Sequence, residues 1–394
     1  MNALPYRRLA GFYFFYFAYI GAFAPFFSLY LEANGHDAVA IGILMSLPQV
    51  TRIVAPHLWG WLADRSGRGF HIVRLTGLAG LACFFAVFLG SSFALLFAAL
   101  FAMTFFWSAA LPLVEAATLM HLGEDTGRYG RIRVWGSMGY IVAVVGVGYA
   151  LEAIGVARLP WIVVGLMLGM LVLCWCIPER PPRRTHASEQ GIWDIVRRPE
   201  VVALIVAGGL LSAAHGPYYA FYSLYLVEHG YSTVLTGWLW ALGVFCEIGV
   251  FFWMPHLYRA YTLRQILLAS FALAVVRFLV IGWAIDSYAM LLFAQTLHAA
   301  TFGSFHAAAI GVVHRVFRER HQARGQAIYG SLSFGVGGAL GGFASGYSWA
   351  HYGPSLTYTW AALCALAGFV LLWRKLHLVD EAVTEKLVPD PNSV

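Results

Sequence analysis

Residues 27–42 read FSLYLEANGHDAVAIG, and residues 222–237 read YSLYLVEHGYSTVLTG. At a constant offset of 195, Ser28/Ser223, Leu29/Leu224, Tyr30/Tyr225, Leu31/Leu226, Gly35/Gly230, Val39/Val234 and Gly42/Gly237 are identical. Farther along, WGSM at 135–138 is matched by YGSL at 329–332. Self-similarity over half a chain means that one structural unit is used twice.

The sequence around these segments says what that unit is. Of 394 residues, 60% are hydrophobic and 11% charged, with a mean hydropathy of +0.71. A soluble domain carries about 25% charged residues, and this chain could not cover a soluble surface. The composition excludes a disordered chain, a secreted disulfide scaffold and a nucleic-acid binder. Cys83, Cys174, Cys176, Cys246 and Cys364 all lie inside apolar stretches and read as small packed residues, neither a disulfide framework nor a metal site.

A membrane-spanning helix needs about 20 apolar residues. Twelve such stretches can be counted: 9–31, 39–63, 71–90, 93–121, 132–152, 158–177, 201–227, 234–255, 264–284, 288–314, 326–350 and 355–374. The first is too long for the core of a cleaved signal peptide and is expected to be retained. The longest polar interval, 178–200, holds four prolines and five arginines between spans six and seven. The expected organisation is a six-helix half over 1–177, a linker over 178–200, a second six-helix half over 201–376 and a polar tail over 377–394. Of the 25 Lys and Arg, 21 fall on the side of both termini and only Arg158 on the other. Short basic loops stay cytoplasmic. A multi-pass protein of the bacterial inner membrane, with both termini in the cytoplasm, is therefore expected.

The remaining three basic residues, Arg52, Arg133 and Arg277, lie within spans, as do Glu115 and Glu247. A charge at the bilayer centre costs roughly 2.5–3.5 kcal/mol even on lenient scales, so each is a candidate for function. Arg52 and Glu247 sit at equivalent positions of the repeat, with opposite charge. Glu115 and Arg133 lie on neighbouring antiparallel spans and can approach. Span ten carries His298 and His306, placed for a proton relay, and His314 nearer its end. His215 lies beside Pro217 in span seven, next to Tyr218 and Tyr219, which are candidates for stacking on a flat substrate. Glycines spaced by four in span eleven (Gly337/Gly341, Gly338/Gly342, Gly342/Gly346) read as close helix packing. No phosphate-binding loop, nucleophile elbow, HExxH or CxxC appears. Neither an enzyme nor ATP-driven transport is expected, and no metal or cofactor beyond a coupling proton.

The loop after span two, GWLADRSGR at 60–68, resembles the major facilitator motif G-x3-D-R-x-G-R-R/K, departing from it only at Gly69. Gly60, Asp64, Arg65, Gly67 and Arg68 then form a conformational gate, whose charges pair in one state and part in another. The equivalent loop of the second half, PHLYRAYT, has lost the motif. A same-orientation repeat of six spans is also the parallel repeat of that fold. Within the superfamily the chain is similar to the phenylpropionic acid permease group through the Arg-Val-Trp-Gly-Ser run at 133–137, Arg277 after paired valines, His215-x-x-Tyr-Tyr, and Leu-His298 followed by His306. It is similar more locally to the oligosaccharide–proton symporters typified by lactose permease, at Val-Glu115-Ala, Gly-Arg131-x-Arg133, Glu247, Val-Arg277 and Thr-Leu-His298. That resemblance implies substrate contact for Glu115 and Arg133, and substrate binding and proton coupling for Glu247, Arg277 and His298. Lactose permease has a lysine three residues before its histidine and a carboxylate three after; here Gln295 and Thr301 stand there. Its principal proton carrier is missing, and Glu247, assisted by His298 and His306, is expected to replace it. No proline lies between 132 and 159, so the span-five motif of drug antiporters is absent and symport is favoured.

The resemblance thus implies a monomeric transporter importing a small aromatic carboxylate such as 3-phenylpropionate together with a proton. Arg52, Arg133 and Arg277 would clamp the carboxylate, beside Glu115, Tyr218 and Tyr219. Uptake of a neutral sugar or nucleoside, or a transporter-like sensor without net transport, are the alternatives.

Overall fold

The computed structural model describes residues 5–123, 128–179, 192–317 and 321–376. Most of the expected linker and all of the tail from 377 lie outside the described residues. Among the described residues, ten helices are long and apolar enough to cross a membrane: α1 (Tyr6–Ala33), α2 (Ala38–Ser66), α3 (Gly69–Phe88), α4 (Phe93–Leu122), α5 (Tyr129–Ile154), α6 (Val156–Cys176), α7 (Pro199–Glu228), α8 (Thr233–Ala260), α9 (Leu263–Trp283) and α10 (Tyr288–Val316). An eleventh apolar stretch, Arg324–Lys375, is two spans, because Gly353 has φ 80° and ψ 176° and interrupts the helix ahead of Pro354. These are α11 (324–352) and α12 (354–375). The twelve agree with the expected spans to within a few residues.

The repeat is visible in local chemistry. Gly35 and Gly230 both take the left-handed conformation after α1 and α7, with φ of 85° and 82°. Asp37 then caps α2 by accepting from the Ala40 N–H at 2.8 Å, and its counterpart Ser232 caps α8 by accepting from the Leu235 N–H at 3.1 Å. The glycines that follow make the contacts between the halves. A side chain on Gly42 would meet the backbone of Gly346 at 2.7 Å, and one on Gly237 would meet the Val144 carbonyl at 2.5 Å. The α11 glycines pack both ways: Gly337 and Gly341 lie against α7 backbone, Gly342 and Gly346 against α2. Those contacts need glycine because two helix backbones approach directly.

The α2–α11 seam runs from the end remote from the termini past Arg52, with Gly335 against Ile53 and His57 Nε2 2.6 Å from Ser331 Oγ, and the α5–α8 seam closes that remote end. A polar lock reinforces the second seam. Thr233, the first residue of α8, donates its backbone N–H to Glu152 Oε2 at 3.2 Å, and its hydroxyl lies 2.9 Å from both that oxygen and the Gly148 carbonyl. At the opposite end Asp64, Arg65 and Arg68 are exposed and join no ion pair. Gly67 caps the end of α2 with φ 68°, and Arg65 lies over the Trp61 ring. At mid-depth Arg52, Glu115 and Arg133 are exposed in whole or in part, whereas Arg277 is fully buried. Glu152→Ala is expected to loosen the closed end. Spin labels at Gly155 and Tyr231, flanking the lock, should then show a larger population at long distance; an unchanged distance distribution would mean that the glycine seams alone hold it.

The aromatic residues of α1 pack rather than face lipid: Phe12, Tyr13, Tyr16, Tyr19, Phe23, Phe26, Phe27 and Tyr30 are all buried.

Candidate functional site

Four of the helices that carry midplane polar residues are broken near them. In α2 the helix interrupts after Arg52 and restarts at Ala55, with Pro56 in its first turn. In α4 it interrupts at Ser108–Ala109 and restarts ahead of Pro112, one turn before Glu115. In α7 it interrupts at His215, ahead of Pro217. Proline lacks an N–H and clashes with the carbonyl four residues back, which is enough to break a helix. In α10 the break is a π-helical turn over Ala299–Ser304, and α11 has another over Gly330–Val336. Irregular backbone at membrane depth is tolerated where it lines a cavity, and π-turns recur at functional sites.

On the first half's wall, Arg133 Nε lies 3.7 Å from Glu115 Oε1, and both side chains are about one-third exposed. Tyr129 donates to the same carboxylate oxygen at 3.2 Å. The guanidinium sits 4.0 Å from the centre of the Phe17 ring and 5.7 Å from that of Tyr13. A cation over an aromatic face is held electrostatically, and here it leaves most of the guanidinium N–H groups available to a ligand.

Arg277 dominates the second half. It is 0% exposed, 4.2 Å from the centre of the Tyr218 ring. Its Nη1 donates to Thr301 Oγ1 at 3.1 Å and to His215 Nε2 at 3.3 Å. His215 can accept there because its Nδ1 donates to the Leu211 carbonyl at 2.8 Å, which fixes the neutral ring with a bare Nε2. No carboxylate among the described residues pairs with Arg277, and its Nε and Nη2 have no partner. Close by, Tyr218 donates to Gln295 Oε1 at 3.0 Å, while Gln295 Nε2 and His298 Nδ1 are buried without partners. Half-buried Tyr219 is nearly parallel to the rings of His215 and Trp240.

Glu247 lies on α8 with Oε2 3.9 Å from His298 Nε2. The His298 ring stacks on Phe302 at 5.4 Å, and Phe302 is parallel to His306 at 6.3 Å. The π-turn thus leaves the two histidines on one face, separated by an aromatic ring and not hydrogen-bonded to each other. His306 in turn meets Phe334 of α11, and Arg52 lies over that ring at 5.9 Å. Arg52 and Glu247 do not pair. Among the described residues Arg52 hydrogen-bonds only to Gln49, at 3.5 Å, and it is exposed. Repeat symmetry relates the positions of the two residues, but Glu247 is turned towards α10 and Arg52 towards α11.

Sequence reasoning missed Tyr129 and Trp240 as parts of these walls and did not single out Phe17 among the aromatic residues of the first span. Phe17 stands among a run of aromatic residues, and only the close α1–α5 crossing at Gly136 and Gly139 singles it out.

Arg133→Lys is expected to keep the Glu115 contact but weaken substrate binding by about 1.5 kcal/mol, on the order of tenfold, because an ammonium cannot reproduce the planar fork. Titration of the purified variant checks this; unchanged affinity would reduce Arg133 to a partner of Glu115.

A family model described as the MFS_1 like family matches residues 6–360. A probable 3-phenylpropionic acid transporter of Escherichia coli K12 is 28% identical over 370 residues, covering 92% of this chain and 96% of that protein. A maltose permease of Geobacillus stearothermophilus is 27% identical, covering 92% of each chain. A putative nucleoside transporter of Escherichia coli K12 is 23% identical, covering 85% of this chain and 84% of that protein. Among solved structures, the nucleoside transporter NupG superposes with a TM-score of 0.82 at 15% identity, over 95% of this chain and 98% of that one, which shows the shared fold. These are transporters and not enzymes. The chain belongs to the MFS_1-like family, and it is a multi-pass major facilitator transporter of a small molecule.

Proposed function

We propose that the protein imports a small aromatic monocarboxylate, of which 3-phenylpropionate is the model, together with a proton. The observation that carries this reading is Arg277, fully buried with two donor nitrogens unpartnered and, among the described residues, no carboxylate paired with it. A buried charge without a counterion is costly by several kcal/mol, and it persists where a ligand supplies the missing charge. Arg52, Arg133 and Arg277 outnumber Glu115 and Glu247 by one positive charge, and a monocarboxylate balances it. Tyr218, Tyr219, Trp240, Phe302 and Phe334 supply apolar faces for a ring. The relative described as a probable 3-phenylpropionic acid transporter supports the same substrate class.

Proton coupling follows from the same balance. When Glu247 takes up a proton, the cavity loses a negative charge and its attraction for an anion rises. When the proton leaves, the anion is repelled. Substrate and proton therefore favour each other by reciprocal linkage, and the pair crosses without moving net charge. His298 sits beside Glu247 and passes the proton or tunes its release. The excess of basic residues in the loops beside the termini supports a cytoplasmic position for that end. The protein functions as a monomer, one cavity per chain.

A thermal-shift panel on the purified protein tests the substrate class. Arylcarboxylates such as 3-phenylpropionate are expected to stabilise it in a concentration-dependent way, with maltose and uridine giving no shift. Stabilisation by the sugar or nucleoside alone would overturn the reading.

A further inference from the structure

We infer that Thr301 is the specificity switch of the cavity: by holding Arg277 with a neutral hydroxyl, it reserves the arginine's charge for an anionic substrate over a neutral one. The inference rests on the proposed anion site and concerns what makes that site selective.

Thr301 is 0% exposed and lies in the π-turn of α10. Its hydroxyl does two things at once. It donates to the His298 carbonyl at 3.4 Å and accepts from Arg277 Nη1 at 3.1 Å. The second partner of that same nitrogen, His215 Nε2, is also neutral. Arg277 is thus positioned by two uncharged acceptors on one nitrogen, and Nε and Nη2 remain empty-handed. Gln295, likewise 0% exposed, adds a further unpartnered donor nearby, with its oxygen occupied by Tyr218. The pocket is rich in donors, and no carboxylate among the described residues pairs with Arg277, Glu247 lying instead against His298.

A carboxylate at position 301 would change this. Its oxygen would replace the hydroxyl at ion-pair distance from Nη1 and neutralise the guanidinium in a low-dielectric site, where such a pair interacts strongly. The substrate carboxylate would then enter beside a like charge, which disfavours it. An uncharged analogue would meet no such repulsion, and its amide nitrogen would find a new acceptor. One atom-scale change therefore exchanges the charge preference of the site without touching the aromatic walls. Specificity of this kind is a difference of two affinities, with a repulsive element against the wrong ligand.

The test compares 3-phenylpropionate with 3-phenylpropionamide on the purified full-length protein, by thermal shift and titration. The native protein is expected to favour the acid over the amide. Thr301→Asp is expected to bind the acid at least tenfold more weakly and to bind the amide as well as the native protein does or better, inverting the ratio. Thr301→Asn, which matches aspartate in shape without its charge, is expected to keep the native preference and controls for folding. If the native protein binds neither ligand, the proposed substrate class fails. If it binds the acid but Thr301→Asp folds and leaves the acid-to-amide ratio unchanged, the substrate class stands and the switch is refuted. If Thr301→Asn inverts the ratio as Thr301→Asp does, shape and not charge is decisive, and the inference fails equally. Should Thr301→Asp not fold, Gln295→Glu places the charge next to the same cluster and is expected to give the same inversion; a native ratio in that variant overturns the proposal.

Discussion

Glu247→Gln is expected to abolish uphill accumulation of substrate while leaving exchange across the membrane intact. Glutamine keeps the size and hydrogen-bonding reach of the side chain beside His298 but can neither gain nor lose a proton. The variant resembles the proton-loaded carrier, in which the cavity holds its greatest excess of positive charge. It should therefore bind the anion at least as well as the native protein, and its affinity should lose most of its dependence on pH. With no proton to release, a pH gradient cannot drive net movement. Counterflow of labelled against unlabelled 3-phenylpropionate in proteoliposomes reads the retained exchange. Loss of counterflow and binding together would assign Glu247 to substrate contact and return the coupling role to His298 or His306.

Arg277→Met should remove anion binding without costing stability. Truncating one partner of a buried charge pair costs about 2–5 kcal/mol, roughly 30- to several-thousand-fold in affinity. An arginine that served the fold would, when removed, leave a carboxylate stranded and lower the melting temperature. Among the described residues no carboxylate pairs with it, and methionine occupies similar volume beneath Tyr218 without a charge to desolvate. The ligand-free variant is expected to melt at or above the native temperature and to show no shift with 3-phenylpropionate. A marked loss of intrinsic stability with binding preserved would make Arg277 structural.

What the sequence made legible was whatever chemistry repeats or stands out against an apolar background. The spans were readable because lipid demands length and hydropathy, and the repeat because Gly35/Gly230 and Gly42/Gly237 answer to backbone geometry in both halves. The in-span charges were readable by scarcity, and the approach of Glu115 to Arg133 by the shortness of one loop. Partnership across the cavity was not readable. Repeat symmetry suggested Arg52 opposite Glu247, yet Glu247 turns to His298 and Arg52 to Phe334. Which way a side chain leans depends on local helix breaks, and two of those are π-turns with no proline to announce them. The same turns decide that His298 and His306 flank Phe302. Gln295 and Thr301 stood out in the sequence as departures from the sugar symporters. Their positions around Arg277, with Tyr218 on one and a guanidinium nitrogen on the other, exist only in the folded chain.

The central claim is that an inward proton gradient drives an aromatic carboxylate through this cavity. Its most direct test is uptake of radiolabelled 3-phenylpropionate into proteoliposomes of the native protein, with an acidic exterior imposed and then collapsed by a protonophore. Protein-free vesicles provide the blank, since the neutral acid itself crosses bilayers. The account predicts accumulation above that blank, dependent on the gradient and dissipated with it. Uptake equal to the blank, or accumulation that persists undiminished after the gradient is collapsed, would contradict it.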